Sequence, residues 1–124
     1  MSSSNVLLID DNNLDHKIFN HYAKSTDRIK LTSVESIDDG MYSIVEKNPD
    51  VILLDNCLQP FDTFKDTVPQ LRAFGYSGRI IVISSDISSI NQKDLDDYTV
   101  DKCVSKVDFD YNNFEDKVSD LIAA

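Results

Sequence analysis

The chain has 124 residues, 41% hydrophobic and 27% charged, with only three glycines and three prolines. That composition describes one folded domain, large enough to bury a core and too short for a sensor or effector module beside it. Acids outnumber bases 22 to 12, for a formal net charge of −10, so the phosphate-neutralising term that drives nucleic-acid affinity has the wrong sign, and DNA or RNA binding is not expected.

The longest apolar runs, Val6–Ile9, Val51–Leu54 and Ile80–Ile83, are four residues each, against roughly 20 for a membrane-spanning helix. Met1–Asn5 carries no basic side chain and leads straight into a strand-like run, unlike a secretory signal, so a cytoplasmic protein without a membrane segment is expected. Cys57 and Cys103 are too few and too far apart for a disulfide framework. With His16 and His21 they make no zinc spacing, and they read as reduced thiols. The two histidines themselves read as exposed helix residues.

Taken in chain order, the apolar rhythm alternates between two periods. Val6–Ile9 is a continuous run, and then Leu14, Ile18 and Tyr22 recur every four residues behind the cap candidates Asn12 and Asn13, which predicts a strand followed by a helix. Leu14 and Ile18 are expected in the core, or partly facing a partner's helices. Leu31–Val34 is a second, more polar strand. Ile37, Met41, Ile44 and Val45 mark a helix capped by Ser36 and ended at Asn48-Pro49. Val51–Leu54, apolar on both faces, suits a central strand of a covered parallel sheet and runs into Asp55. Phe64, Val68 and Leu71 mark a third helix ended by Gly75 and Gly78, which Pro69 should kink or shorten. Ile80–Ile83 is the fourth strand. Ser89 and Gln92 resemble a capping box opening a weak helix through Leu95 and Tyr98. Lys102–Ser105 is the fifth strand, and Phe114, Val118, Leu121 and Ile122 draw the core-facing stripe of a last helix.

Five alternating units predict a (βα)5 α/β domain over residues 1–124. Its five-stranded parallel sheet is doubly wound, with helices on both faces and right-handed crossovers. Ligand sites of such sheets lie at the carboxyl ends of the strands, where the order reverses. There stand Asp10 and Asp11 after the first strand, Asp55 after the third, Ser84 after the fourth and Lys106 after the fifth. Any one of these alone reads as a turn or cap residue. Together they are a pattern. Three carboxylates held close repel one another, and a hard divalent ion, Mg²⁺ above all, is the natural compensation. A hydroxyl and an ammonium beside them supply what a transferred phosphoryl group needs, with a carboxylate as nucleophile.

These residues resemble the receiver domain of two-component response regulators, over essentially the whole chain. Asp10-Asp11 is similar to that family's acidic metal-binding pair, Asp55 to its phospho-accepting aspartate, Ser84 to its Thr or Ser, and Lys106 to its lysine. Gln59-Pro60 resembles the residue-proline step that follows the acceptor. The separations of 44, 29 and 22 residues from Asp11 to Asp55, Ser84 and Lys106 in turn fit the family's spacing. The resemblance implies the flavodoxin-like form of the (βα)5 fold, and that Asp10, Asp11, Asp55 and the main-chain carbonyl of Cys57 hold Mg²⁺. It implies that Asp55 takes a phosphoryl group from a phosphohistidine on a sensor histidine kinase or histidine phosphotransfer protein, and that Lys106 and Ser84 bind that group. The loop after the fourth strand would then move inward, altering the surface of helix four, strand five and helix five.

Departures from the family's pattern sit on the output side. Cys103 occupies the position of the aromatic switch, three residues before Lys106. Val107 replaces the proline after Lys106, so no cis bond is expected there, since a non-proline cis peptide costs roughly 2.5–4 kcal/mol. The glycine usual after the Gln-Pro step is missing from Phe61-Asp62-Thr63-Phe64. Cys57 and Asp86, two after Asp55 and Ser84, stand where phosphoryl lifetime is tuned, and Asp86 can orient or repel the attacking water.

The reading is therefore a single-domain receiver that signals through protein contact or onward phosphotransfer. From Asp86 to the end there are ten acids and four bases, which supply −6 of the −10, so the downstream target is expected to carry a basic docking surface. One alternative is a pseudo-receiver that docks constitutively. A second, an aspartyl phosphatase of the haloacid dehalogenase type, needs an Asp-x-Asp step after the first strand, where this chain has Asp10-Asp11-Asn12.

Overall fold

Strands with apolar side chains at every position need cover on both faces. In the computed structural model, which describes residues 3–123, five strands pair in parallel, the three central ones carrying these apolar runs. They are β1 (Ser4–Ile9), β2 (Ile29–Val34), β3 (Val51–Asp55), β4 (Arg79–Ser84) and β5 (Lys102–Ser105), in the order β2-β1-β3-β4-β5. Between and after them run α1 (Asn13–Ala23), α2 (Ile37–Lys47), α3 (Phe64–Phe74), α4 (Gln92–Asp97) and α5 (Phe114–Ala123). The expected flavodoxin-like (βα)5 order is the one observed. Met1, Ser2 and Ala124 lie outside the described residues, and with them part of the Met1–Asn5 leader and the last position of the 1–124 domain. No helix among the described residues is long and apolar enough to cross a membrane.

Successive side chains of a strand point to opposite faces, and the core divides accordingly. Leu7, Ile9, Ile52, Leu54, Ile80 and Val82 pack with Ile37 of α2, Phe64, Val68 and Leu71 of α3, and Leu95 of α4. On the other face Val6, Leu8, Val51, Leu53, Ile81 and Ile83 lie under Phe19 of α1 and Phe114, Val118 and Leu121 of α5. Gly40 brings α2 close to β1: a Cβ there would stand 2.6 Å from Ile9 Cδ1. The strand before Asp10 is thus held from both sides.

Two positions of the expected apolar helix faces are exposed. Leu14 keeps 65% and Val45 73% of its surface. At 3.6 residues per turn, a row of residues spaced by four drifts about 40° per step, so the row Leu14, Ile18, Tyr22 winds from solvent toward the core. Phe19, outside that row, is the buried residue of α1. Val45 stands one residue past Ile44 and so faces away from the sheet.

Helix ends follow local chemistry. Asn12 caps α1 by accepting from the N–H groups of Leu14 and Asp15, and Ser36 caps α2 through Asp39 N–H. Thr63 and Asp66 form a capping box on α3, which Gly75 closes at φ 113°. Pro69 does not shorten α3, which spans 11 residues like α1 and α2. It is exposed, so water can serve the carbonyl that loses its donor. The cap of α4 is Asn91 rather than Ser89: its side chain accepts from Asp94 N–H, while Ile90 N–H still bonds back to Ile87 in a turn. Among the described residues the cis peptide is Gln59–Pro60. The bond after Lys106 is trans, as expected, and Lys106–Asp108 is a 3-10 turn.

Candidate functional site

Sheet register decides which strand-end residues meet. Ile9 pairs with Leu54 and Asp55 with Ile83, so Asp10, Asp55 and Ser84 finish adjacent strands within one residue of each other. Ser84 pairs with Ser105, and the next residue is Lys106. The order reverses between β1 and β3, so the chain leaves these two strands in opposite directions and a cleft opens at their ends.

Asp10 is fully buried, and Asp55 and Ser84 are nearly so. Carboxylate oxygens of Asp10, Asp11 and Asp55 lie within 4.8 Å of one another. An all-oxygen, triply acidic set fits a hard divalent cation. Burial raises the pKa of Asp10, and the negative charge of Asp55 adds to this; the hydrogen bonds from Lys106 and from Asn12 N–H pull the other way without cancelling it. The centre is short of positive charge.

Lys106 brings a cation to it. Its Nζ is 2.7 Å from Asp15 Oδ2, 2.9 Å from Asp10 Oδ2 and 3.2 Å from Asp55 Oδ1. Burial works against its charge. Hydrogen bonds to Asp15 and Asp10, with the nearby charges of Asp55 and Asp10, outweigh that burial and hold its pKa above the ordinary lysine value.

Asp15 joins this centre although sequence reasoning does not place it there. An acid in the first turn of a helix ordinarily serves the helix dipole, and its one other signal is that it follows Asp11 by one helical turn. His16 also differs from expectation: it is half-buried, and its Nε2 meets the main-chain oxygen of Asp10. It remains outside the metal cluster, while His21 is exposed and its ring lies 4.9 Å from that of Tyr111.

Main-chain bonds fix the surrounding loops. Asp11 Oδ2 accepts from Gln59 N–H, and Asp10 Oδ1 accepts from Asn12 N–H. Asn56, buried beside Asp55, donates its N–H to Ile83 and accepts from Phe64 N–H through Oδ1. Ser84 Oγ and the main chain of Asp86 are 3.1–3.3 Å apart. The Asp86 carboxylate accepts from Ser88, which lowers its pKa.

A cleft of about 510 Å³ results, lined by Asp11, Asp55, Cys57, Ser84, Asp86 and Lys106 among others. Asp10 lies beneath it. Cys103 is not among the lining residues: it sits on β5 opposite Val82, packed against the core on the α2–α3–α4 side, where burial raises its thiol pKa. The cleft thus presents a carboxylate flanked by an oxygen-donor cation site, a hydroxyl and an ammonium, the set a phosphoryl group needs.

No family model and no curated protein matches the sequence. Solved structures do match. A CheY-like response regulator receiver domain from Methylobacillus flagellatus superposes with a TM-score of 0.76 at 17% identity, covering 97% of this chain and 99% of that one. The response regulator domain of Thermotoga maritima CheB gives 0.77 at 14%, covering 98% of each. A LuxR-family two-component response regulator from an Aurantimonas species gives 0.79 at 15%, covering 98% of this chain and 86% of that one. With its strand order and the position of its acidic cleft, the chain has the CheY-like fold of response regulator receiver domains.

Proposed function

We propose that residues 1–124 act as one receiver domain that accepts a phosphoryl group on Asp55. The observation that carries this is the contact of Lys106 Nζ with Asp55 Oδ1 at 3.2 Å, beside carboxylate oxygens gathered within 4.8 Å. An Asp55 oxygen attacks the phosphorus of a phosphohistidine on a sensor histidine kinase or phosphotransfer protein. The new O–P bond forms as the P–N bond breaks, and the imidazole nitrogen leaves with the electron pair and takes up a proton. Asp10, Asp11, Asp55 and the carbonyl of Cys57 would hold Mg²⁺. When bound, Mg²⁺ supplies charge neutralisation for the phosphoryl oxygens. Lys106 donates to one of those oxygens, and Ser84 exchanges its bond with the Asp86 main chain for another.

Leu14 and Val107, 65% and 81% exposed, neighbour the cleft residues Asp15 and Lys106. They offer apolar contact to the protein that delivers the phosphoryl group. Asp86 stands at the rim, where its carboxylate governs water reaching the acyl phosphate, and Cys57 occupies the other tuning position. The protein is a cytoplasmic signalling acceptor rather than an enzyme acting on other substrates, and its state is read by a protein partner or handed onward. The acidic stretch from Asp86 onward favours a basic surface on that partner.

Cys103 supports a second reading, since no ring stands there to move inward. On that reading the chain docks constitutively. Incubation with Mg²⁺ and acetyl phosphate separates the two. An acid-stable, base-labile phosphoryl adduct in the intact mass, lost in Asp55→Asn, is the result expected of an acceptor. No adduct leaves the constitutive module, and steady turnover of phosphomonoesters would point to a phosphatase.

A further inference from the structure

A lysine ammonium has three N–H donors, and Lys106 has three carboxylate neighbours: Asp15, Asp10 and Asp55 at 2.7, 2.9 and 3.2 Å. Two of those donors are hydrogen-bonded, to Asp15 and Asp10, while Asp55 Oδ1 is in ion-pair contact. A phosphoryl oxygen arriving on Asp55 therefore competes with Asp15 and Asp10 for the position and charge of the ammonium.

We infer that Asp15 is a positioning residue that competes with an incoming phosphoryl group for Lys106, and thereby sets how readily Asp55 is phosphorylated. This rests on the phospho-acceptor reading of Asp55. Asp10 is the poorer candidate to release Lys106. It is fully buried, and its other oxygen already accepts from Asn12 N–H. Leaving it without the lysine would strand a buried charge. The Asp15 side chain is 21% exposed and stands in the first turn of α1, where water and the positive helix end can take over from the lysine. Its shorter contact makes it the stronger claimant at rest, and its exposure makes it the cheaper one to displace.

Two effects of opposite sign follow. The Asp15 charge lines the cleft and opposes an incoming anionic donor while occupying Lys106. The same charge draws the ammonium away from the acidic triad, which strengthens the triad's hold on a cation. Removing it should therefore speed phosphorylation and weaken Mg²⁺ binding.

Asp15→Asn keeps the size and removes the charge; Asp15→Glu keeps the charge. The probe is acetyl phosphate at saturating Mg²⁺: an Asp55 oxygen forms a bond to phosphorus as the bond from phosphorus to acetate breaks, and acetate leaves with the electron pair. For one surface-zone charge, Asp15→Asn is expected to phosphorylate about three- to ten-fold faster, chiefly through a lower half-saturating donor concentration, with the gain shrinking as salt is added. Calorimetric titration with Mg²⁺ alone should show affinity about three-fold weaker in Asp15→Asn. Asp15→Glu should return both quantities toward wild type. A wild-type adduct with no faster reaction in Asp15→Asn overturns the inference and leaves the acceptor reading standing, as does a rate gain accompanied by tighter Mg²⁺ binding. No adduct in wild type overturns both.

Discussion

Asp10 and Asp11 are adjacent in sequence and differ in exposure. The first is sealed under the cleft, and the second stands half-buried at its wall, accepting from Gln59 N–H. Without a cation, Asp11 adds charge to a centre already acidic. Asp11→Asn, which can still accept that bond, is expected to melt higher than wild type in chelator, by about 1 kcal/mol. In Mg²⁺ the order should narrow or reverse, because wild type gains binding free energy that the variant loses; melts in the two buffers check both. Tyr76 gives a pH-dependent counterpart far from the site. Its ring is buried, its hydroxyl lies 3.1 Å from Pro49 O and 3.3 Å from Arg79 O, and burial raises its pKa above the usual 10. A raised folded pKa gives stability that is present below pH 10 and lost as pH rises beyond it. Tyr76→Phe should cost about 1 kcal/mol at pH 7, and its deficit against wild type should shrink in melts above pH 10. At this scale the sequence showed Asp10, Asp55 and Ser84 because each directly follows an apolar run, and Asp11 and Lys106 by their spacing from these. Asp15 was hidden by its ordinary place in a helix first turn, and the exposure of Leu14 by a helical row that drifts as it climbs.

Elements were legible where a cap residue directly borders a periodic run. Asn12, Ser36 and Gly75 stand where the sequence predicts helix ends. The fourth helix was misread at its start because Ser89 and Gln92 mimic a capping box while the turn before Asn91 leaves no signal of its own. That helix is six residues long with Leu95 as its buried anchor, against four buried residues in α3. Its opening should need little more than the release of that one side chain. Hydrogen exchange followed by mass spectrometry should show the amides of α4 exchanging well before those of α3. Protection of α4 equal to that of α3 would contradict this. Thr63→Ala removes the hydroxyl of the α3 capping box and should cost about 1 kcal/mol in denaturant unfolding, leaving Mg²⁺ affinity unchanged because Thr63 makes no contact with the triad.

For the whole molecule, the doubly covered sheet was readable from the apolar strands, and the acid cluster from what ends them. The order β2-β1-β3-β4-β5 comes from the structure, since hydrophobic rhythm does not say which strands are neighbours. Charge is the other property of the whole. A net −10, with −6 of it carried from Asp86 onward, concentrates repulsion on one stretch. Binding of the proposed basic partner should weaken steadily as sodium chloride is raised through the range where the screening length falls to about 8 Å. A partner affinity indifferent to salt would count against that surface.

Lys106 reaches Asp10 from 96 positions away. During synthesis the three acids are made well before the lysine, so any pairing of β1 with β3 that precedes β5 gathers carboxylates before the ammonium that offsets them is in place. A chain cut short before β5 would keep its carboxylates and depend on added cation to bring them together.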